Sequence, residues 1–317
     1  MIGRFGFHLG FESVHTSTTD QMRPRFGFGR CHHVWFGRLC RWGVVVAFIA
    51  CLRLAVTAEV APLPRAHAHN DYEHSRPLFD ALEQGFCSVE ADIYLVNGTL
   101  LVAHDRRDLK PERTLQALYL DPLRERVRAN GGHVYPALGS DQSLRRPVAT
   151  KAPEVEFTLL VDIKTDGQAV YHTLRDMLTN YADILTHFTP TSTVPSAITV
   201  ILTGDRPAEV VAAEPRRLCA VDGKFPDLEA NTSVHLVPLV SESWRPTFGW
   251  FQAGVLAEAD RTKLRALVTK AHGQGRRIRF WGAQDEPFVW RELHAAGVDL
   301  INTDKLAAAA MFLRTAP

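Results

Sequence analysis

The sequence is poor in cysteine. Of five in 317 residues, Cys31, Cys40 and Cys51 fall before position 59, leaving Cys87 and Cys219 for the rest. No C-x-x-C or Cys/His metal spacing occurs, which excludes a disulfide scaffold and a zinc ribbon. Both remaining cysteines sit in apolar, strand-like runs, where a buried free thiol is the ordinary outcome. No G-x-G-x-x-G or P-loop follows the first strand-like run, which counts against a nucleotide-binding Rossmann fold. An excess of charge is absent too, with 36 Lys+Arg against 35 Asp+Glu. Basic clusters interleaved with aromatics are missing, so nucleic acid is not an expected partner. There is no internal repeat or low-complexity tract. The 46% hydrophobic and 22% charged residues that are there match a soluble globular protein.

The near-zero charge hides an uneven distribution. Residues 1–58 hold seven Arg against Glu12 and Asp20, a balance of +5, so the remaining 259 carry −4. Arg23, Arg25, Arg30, Arg38 and Arg41 precede an apolar stretch from Gly43 to Ala58 that ends in Val56-Thr57-Ala58. A basic segment, a short apolar run and a small-residue cleavage site predict a signal segment over 1–58 and an exported protein, periplasmic or secreted. Arg53 interrupts the run, which falls short of the ~20 apolar residues of a membrane span. The alternatives are an uncleaved signal anchor or lipid attachment at Cys51, and Met22 is a second candidate start. The folded domain is expected over 59–317.

From Glu59 onward, short apolar runs alternate with amphipathic segments. Strands are expected at Leu63–His69, Cys87–Leu95, Thr158–Lys164, Ala197–Thr203, Arg217–Val221, Leu236–Val240, Arg277–Trp281 and Asp299–Asn302. Helices are expected at Ser75–Gln84, Leu115–Ala129, Gln168–Leu185, Pro207–Ala213, Glu258–His272, Pro287–Ala295 and Lys305–Leu313. Such alternation indicates βαβ units and a parallel sheet. Eight strands in ~260 residues fit an α/β TIM (β/α)₈ barrel better than an open sheet, the alternative. The insertion Arg106–Glu156 and the loop Asp222–His235 are the expected variable parts.

Three strand ends carry polar residues two apart: His67-x-His69, Glu90-x-Asp92 and Asp162-x-Lys164. Residues at i and i+2 share a strand face, and neither face of a closed barrel tolerates an unpaired charge. Their convergence at the C-terminal mouth, where barrel active sites lie, is the economical reading. Scattered internal ion pairs are the alternative. Glu90, Asp92 and Asp162 form an oxygen-rich set suited to one divalent cation, Mg²⁺ or Ca²⁺. With two histidines for proton transfer and Lys164 against phosphoryl oxygens, the set suits phosphodiester cleavage. Asn97-Gly98 between apolar runs predicts a hairpin. A three-residue loop, Val96-Asn97-Gly98, is predicted, because it would pair Glu90 with His104 and turn His104 toward Glu90 and Asp92. A two-residue loop would set His104 opposite Ala91.

These motifs resemble the superfamily of glycerophosphodiester phosphodiesterases and phosphatidylinositol-specific phospholipases C. The matching segments are His-Ala-His-Asn-Asp-Tyr (67–72), Gly85 to Asp92, His104-Asp105, Val161-Asp162-Ile163-Lys164 and Gly297-Val298-Asp299-Leu300-Ile301-Asn302-Thr303-Asp304. The first of these is similar to a bacterial subgroup and to a fungal mitochondrial-inheritance family. The resemblance implies a TIM barrel, one divalent metal on Glu90, Asp92 and Asp162, and two catalytic histidines. One is His104; the other is His69 or His67, with His69 favoured and the remaining one orienting or ligating. It implies a phosphate contact for Lys164 and a mouth aromatic at Trp281, a half-buried core Trp being the alternative. Asn70 and Asp71 would support the pocket or cap the next helix; Asn302, Thr303 and Asp304 carry the same ambiguity. Asp222-Gly223 reads as a turn first and a site residue second. The family's His-Arg-Gly and Glu-Asn-Thr are absent here, and its third acidic residue is Asp rather than Glu. The implied partner is a phosphodiester or phospholipid-derived small molecule, with peripheral membrane contact. A non-catalytic barrel binding a sugar or phospholipid head group is the second reading, and a carbohydrate hydrolase the third.

Overall fold

In the computed structural model, residues 60–136, 155–230, 232–249 and 254–316 are described. The expected leader, 1–58, lies outside them, as does the middle of the 106–156 insertion. The elements run β1 (Leu63–Ala68), α1 (Phe79–Glu83), β2 (Phe86–Val96), β3 (Thr99–Val102), α2 (Asp121–Ala129), β4 (Phe157–Ile163) and α3 (Gly167–Leu178). A small hairpin of β5 (His187–Phe188) and β6 (Thr193–Val194) follows, then β7 (Ile198–Gly204), α4 (Ala208–Ala213), β8 (Ala220–Gly223) and α5 (Phe225–Glu229). The chain closes with β9 (Leu239–Ser243), α6 (Trp244–Phe248), α7 (Glu258–Gly273), β10 (Arg277–Trp281), α8 (Pro287–Ala296), β11 (Leu300–Thr303) and α9 (Leu306–Thr315). Among the described residues no helix is long and apolar enough to cross a membrane.

Eight parallel strands pair in the order β1-β2-β4-β7-β8-β9-β10-β11, and β1 also pairs with β11, so the sheet closes on itself. This is a TIM barrel. Each of the eight expected strands is present with its ends moved by a few residues. Near-continuous apolar runs such as Phe-Thr-Leu-Leu-Val-Asp-Ile in β4 follow from burial on both faces. The segment expected as one helix over 115–129 opens instead as a π turn, Gln116–Leu120, before α2. Pro122 explains it: proline has no N–H and its ring crowds the carbonyl four residues back, which widens the preceding turn. Cys87 and Cys219 are buried free thiols, and burial pushes both up to about 12.

Inside the barrel the two-residue period builds layers. Arg277 Nη1 reaches across to Thr158 Oγ1 at 2.9 Å. Leu160, Ile201, Leu239 and Leu300 form an apolar plug of their own. Two residues further along their strands come Arg279, Asp162, Thr203, Ser241 and Asn302. The inward columns of β4, β7, β9 and β11 thus change from apolar to polar toward the C-terminal mouth. The plug keeps water out from below, so the mouth is a pocket and not a pore.

Candidate active site

Strand register sets the carboxylates. β2 and β4 pair so that Asp92 lies beside Asp162, with Glu90 one inward step deeper. Ligand oxygens of Glu90, Asp92 and Asp162 come within 4.8 Å of one another. Glu90 and Asp162 edge a cavity of about 300 Å³ at the barrel mouth, lined also by His69, Asn70, His104, Lys164, Thr203, Gly204, Arg206, Lys224, Arg279 and Trp281, while Asp92 lies buried behind them. Gly204 (φ +69°) is required here: a Cβ would sit 2.2 Å from Asp162 Oδ1.

Asp92 is buried, and its Oδ2 accepts from Tyr72 Oη (2.6 Å), Lys164 Nζ (2.7 Å) and His104 Nδ1 (3.2 Å). Its Oδ1 is buried without a hydrogen bond. Burial and the Glu90 charge raise its carboxyl. Asp162 is pushed up to about 6 by burial and by Asp92. Burial would also raise Glu90, but Arg279, 2.6 Å away, and His67 outweigh it and hold it low. For Lys164, burial is outweighed by Asp92 and Asp162, and its ammonium is stabilised. The donors are all oxygen, and an orphaned carboxylate oxygen points to a missing electropositive partner. The three side chains therefore fit a hard divalent cation.

His104 reaches this cluster by a route other than the expected one. The hairpin has the two-residue loop: Val96 pairs with Thr99, and Asn97 (φ +50°) and Gly98 (φ +80°) make the turn. The three-residue loop is thus corrected. Pairing ends at Ile93–Val102, after which the chain bends away, held by a bond from Tyr94 Oη to the His104 carbonyl at 2.9 Å. Beyond the ladder, strand alternation no longer dictates where the imidazole goes.

The other two histidines separate cleanly. His67 is fully buried, with Nδ1 2.7 Å from Ser88 Oγ and Nε2 3.2 Å from Glu90 Oε2. Burial and Arg279 push it down to about 4, so it stays neutral. Because it does not line the cavity, the catalytic reading of His67 is corrected: it orients Glu90. His69 stands at the mouth with Nδ1 2.9 Å from Asp304 Oδ1. Burial opposes its protonation, yet Asp304 and Glu90 prevail and raise it. Asp71 is corrected too. It is completely buried away from the cavity, and its Oδ2 accepts from the Leu78 N–H (2.5 Å) and Tyr119 Oη (2.9 Å). Asn70 lines the cavity beside His69, and Trp281 is a half-exposed rim aromatic.

Sequence reasoning missed Tyr72, Arg279 and the His69 partner role of Asp304. Arg279 was findable, since Arg277-x-Arg279-x-Trp281 has the same two-residue spacing as the pairs singled out. Tyr72 carried no such signal. Asn302 accepts from Arg279 Nε (2.7 Å), and Thr303 Oγ1 accepts from the Lys305 N–H (2.8 Å). Asp222 is no turn residue: it lies fully buried in β8.

A closed parallel barrel with acidic, histidine and lysine side chains converging at its C-terminal mouth defines a protein of the glycerophosphodiester phosphodiesterase and phosphatidylinositol-specific phospholipase C superfamily. Residues 54–220 match the AIM6-like phosphodiesterase domain, and residues 277–307 the glycerophosphoryl diester phosphodiesterase family. The chain belongs to the AIM6-like phosphodiesterase family. Its relatives include the altered inheritance of mitochondria protein 6 homolog of Arthroderma benhamiae, 31% identical over 80% of this chain and 85% of that one. The altered inheritance of mitochondria protein 6 of Eremothecium gossypii is 30% identical over 81% and 71%. The glycerophosphodiester phosphodiesterase structure from Agrobacterium tumefaciens aligns with 78% of this chain and 98% of its own, at 15% identity and a TM-score of 0.45.

Proposed function

We propose that the protein is an exported, divalent-cation-dependent phosphodiesterase. Its substrate class is a glycerophosphodiester, phospholipid head group or related polyol phosphodiester. One observation carries the reading. His69 and His104 share a cavity with Glu90, Asp162 and Lys164, Asp92 completes the carboxylate cluster behind them, and each imidazole is anchored through Nδ1 to a carboxylate. Asp304 can only accept, so His69 donates from Nδ1, and the Nε2 atoms of both imidazoles have no protein partner among the described residues.

When bound, Mg²⁺ or Ca²⁺ would be held by Glu90, Asp92 and Asp162 and would neutralise charge on the phosphoryl oxygens. Lys164 contacts the phosphoryl group as a fixed cation. His104 takes the proton of the attacking hydroxyl, either one vicinal to the phosphoester or a water. As the new P–O bond forms and the old one breaks, His69 gives its proton to the departing alcohol oxygen. Its raised affinity for a proton suits that role. His67 and Arg279 hold Glu90, and Tyr72 holds Asp92.

Purified protein should hydrolyse glycerophosphodiesters with Mg²⁺ or Ca²⁺ and stop with EDTA. His104→Ala should lower kcat by about 10²–10⁴-fold. No hydrolysis of any phosphodiester, or a His104→Ala variant of unchanged rate, refutes the reading. The leader supports export, and amino-terminal sequencing of protein recovered outside the cytoplasm should begin near Glu59. The exposed Trp281 at the cavity rim supports peripheral membrane contact.

A further inference from the structure

The cavity has a second wall that the proton transfers do not use. Arg206, Lys224 and Trp281 line it. Lys164 and Arg279, the other cations of the cavity, are matched by Asp92 with Asp162 and by Glu90. The wall cations have no such match: among the described residues neither forms an ion pair. Arg206 makes one long bond, 3.4 Å to the Gly204 carbonyl, and its buried Nε has no partner. Lys224 Nζ donates to the Ser241 carbonyl at 3.0 Å and lies 5.8 Å from the centre of the Trp281 ring. The carboxylate whose field reaches both is Asp222, but it is sealed beneath them, with Oδ2 accepting from the Thr203 hydroxyl at 3.1 Å. Two positive charges therefore face the cavity without a contacting anion.

A phosphodiester brings one negative charge, and Lys164 with the cation site takes it. The further positive charge of Arg206 and Lys224 is satisfied by a second anion. We infer that Arg206 and Lys224 form a subsite for a carboxylate or phosphate carried on the alcohol portion of the substrate, whose apolar face packs on Trp281. A quaternary ammonium is disfavoured there, because Lys224 already stands against the Trp281 ring and repels a second cation. This subsite rests on the phosphodiesterase reading and narrows its substrate class to diesters with an anionic head group.

The test compares ligands that differ by one carboxylate. In calorimetric titrations with Ca²⁺ present, 3-phosphoglycerate should bind the full protein about tenfold more tightly than glycerol 3-phosphate, as charge-assisted bonds of ordinary strength require. The ratio should fall toward one in the double variant Arg206→Met, Lys224→Met and return in Arg206→Lys, Lys224→Arg. It should also shrink as salt is raised, since the wall is open to solvent. In turnover, glycerophosphoserine should be preferred to glycerophosphoethanolamine. Equal binding by the wild type, or a ratio kept by the methionine double variant, overturns the subsite. Discrimination between the monoesters without hydrolysis of either diester would keep the subsite and refute the phosphodiesterase reading. Hydrolysis of both diesters with no discrimination would do the reverse.

Discussion

His67 and His69 lie two residues apart on one strand end, yet their surroundings make them chemically different groups. Burial and Arg279 keep the first neutral, whereas Asp304 and Glu90 favour the protonated form of the second. If His69 acts as the acid, the rate falls as pH rises through its raised pKa. In Asp304→Asn the carboxylate charge is gone, so that alkaline limb should move to lower pH. At pH 8, kcat/KM should then drop by about tenfold. A pH–rate profile with an unmoved alkaline limb would remove His69 from the acid role. At this scale the two-residue spacing made Glu90, Asp92 and Asp162 legible. It left Tyr72 invisible, because that side chain meets Asp92 only through the fold of a short loop.

Among the elements, the hairpin after β2 shows where local reasoning stopped. Asn97-Gly98 marks the turn, but nothing local to it fixes the length of the loop. The ladder ends at Val102, so the imidazole is placed by the bend beyond it, and the turn adopts the tighter two-residue form. Gly98 and Gly204 make a paired test. Both have positive φ, but a Cβ at Gly98 would meet nothing within 4 Å, while at Gly204 it would meet Asp162 Oδ1 and the Ile163 carbonyl. Gly98→Ala should cost about 1 kcal/mol from backbone conformation alone and keep divalent-cation affinity. Gly204→Ala should cost about 3 kcal/mol and lose that affinity, because Asp162 must move. Denaturant unfolding and calorimetric cation titration check both; equal effects at the two positions would contradict the close approach.

Across the whole molecule, Asp71 joins distant segments, binding Leu78 before α1 and Tyr119 in the π turn before α2. Burial raises it from 3.8 to about 6. The folded state therefore holds this proton more tightly than the unfolded chain. The associated stability is complete below about pH 4 and lost as pH rises to about 6, roughly 3 kcal/mol in all. Asp71→Asn cannot ionise. The unfolding free energy of the wild type minus that of the variant should fall across this window, and parallel curves would show that Asp71 is not buried as an acid. The sequence by itself determined the strand–helix alternation, the barrel, and the common face of the three carboxylates. Those features follow from chain-local periodicity, which each segment carries wherever it is placed. Tertiary structure alone decided that His67 is internal and that Asp304 serves His69. It also decided that Glu90 meets Arg279, 189 residues away, and that Arg206 and Lys224 stand unpaired at the mouth. Charge pairing and burial depend on distances across the closed barrel, and no local pattern encodes them.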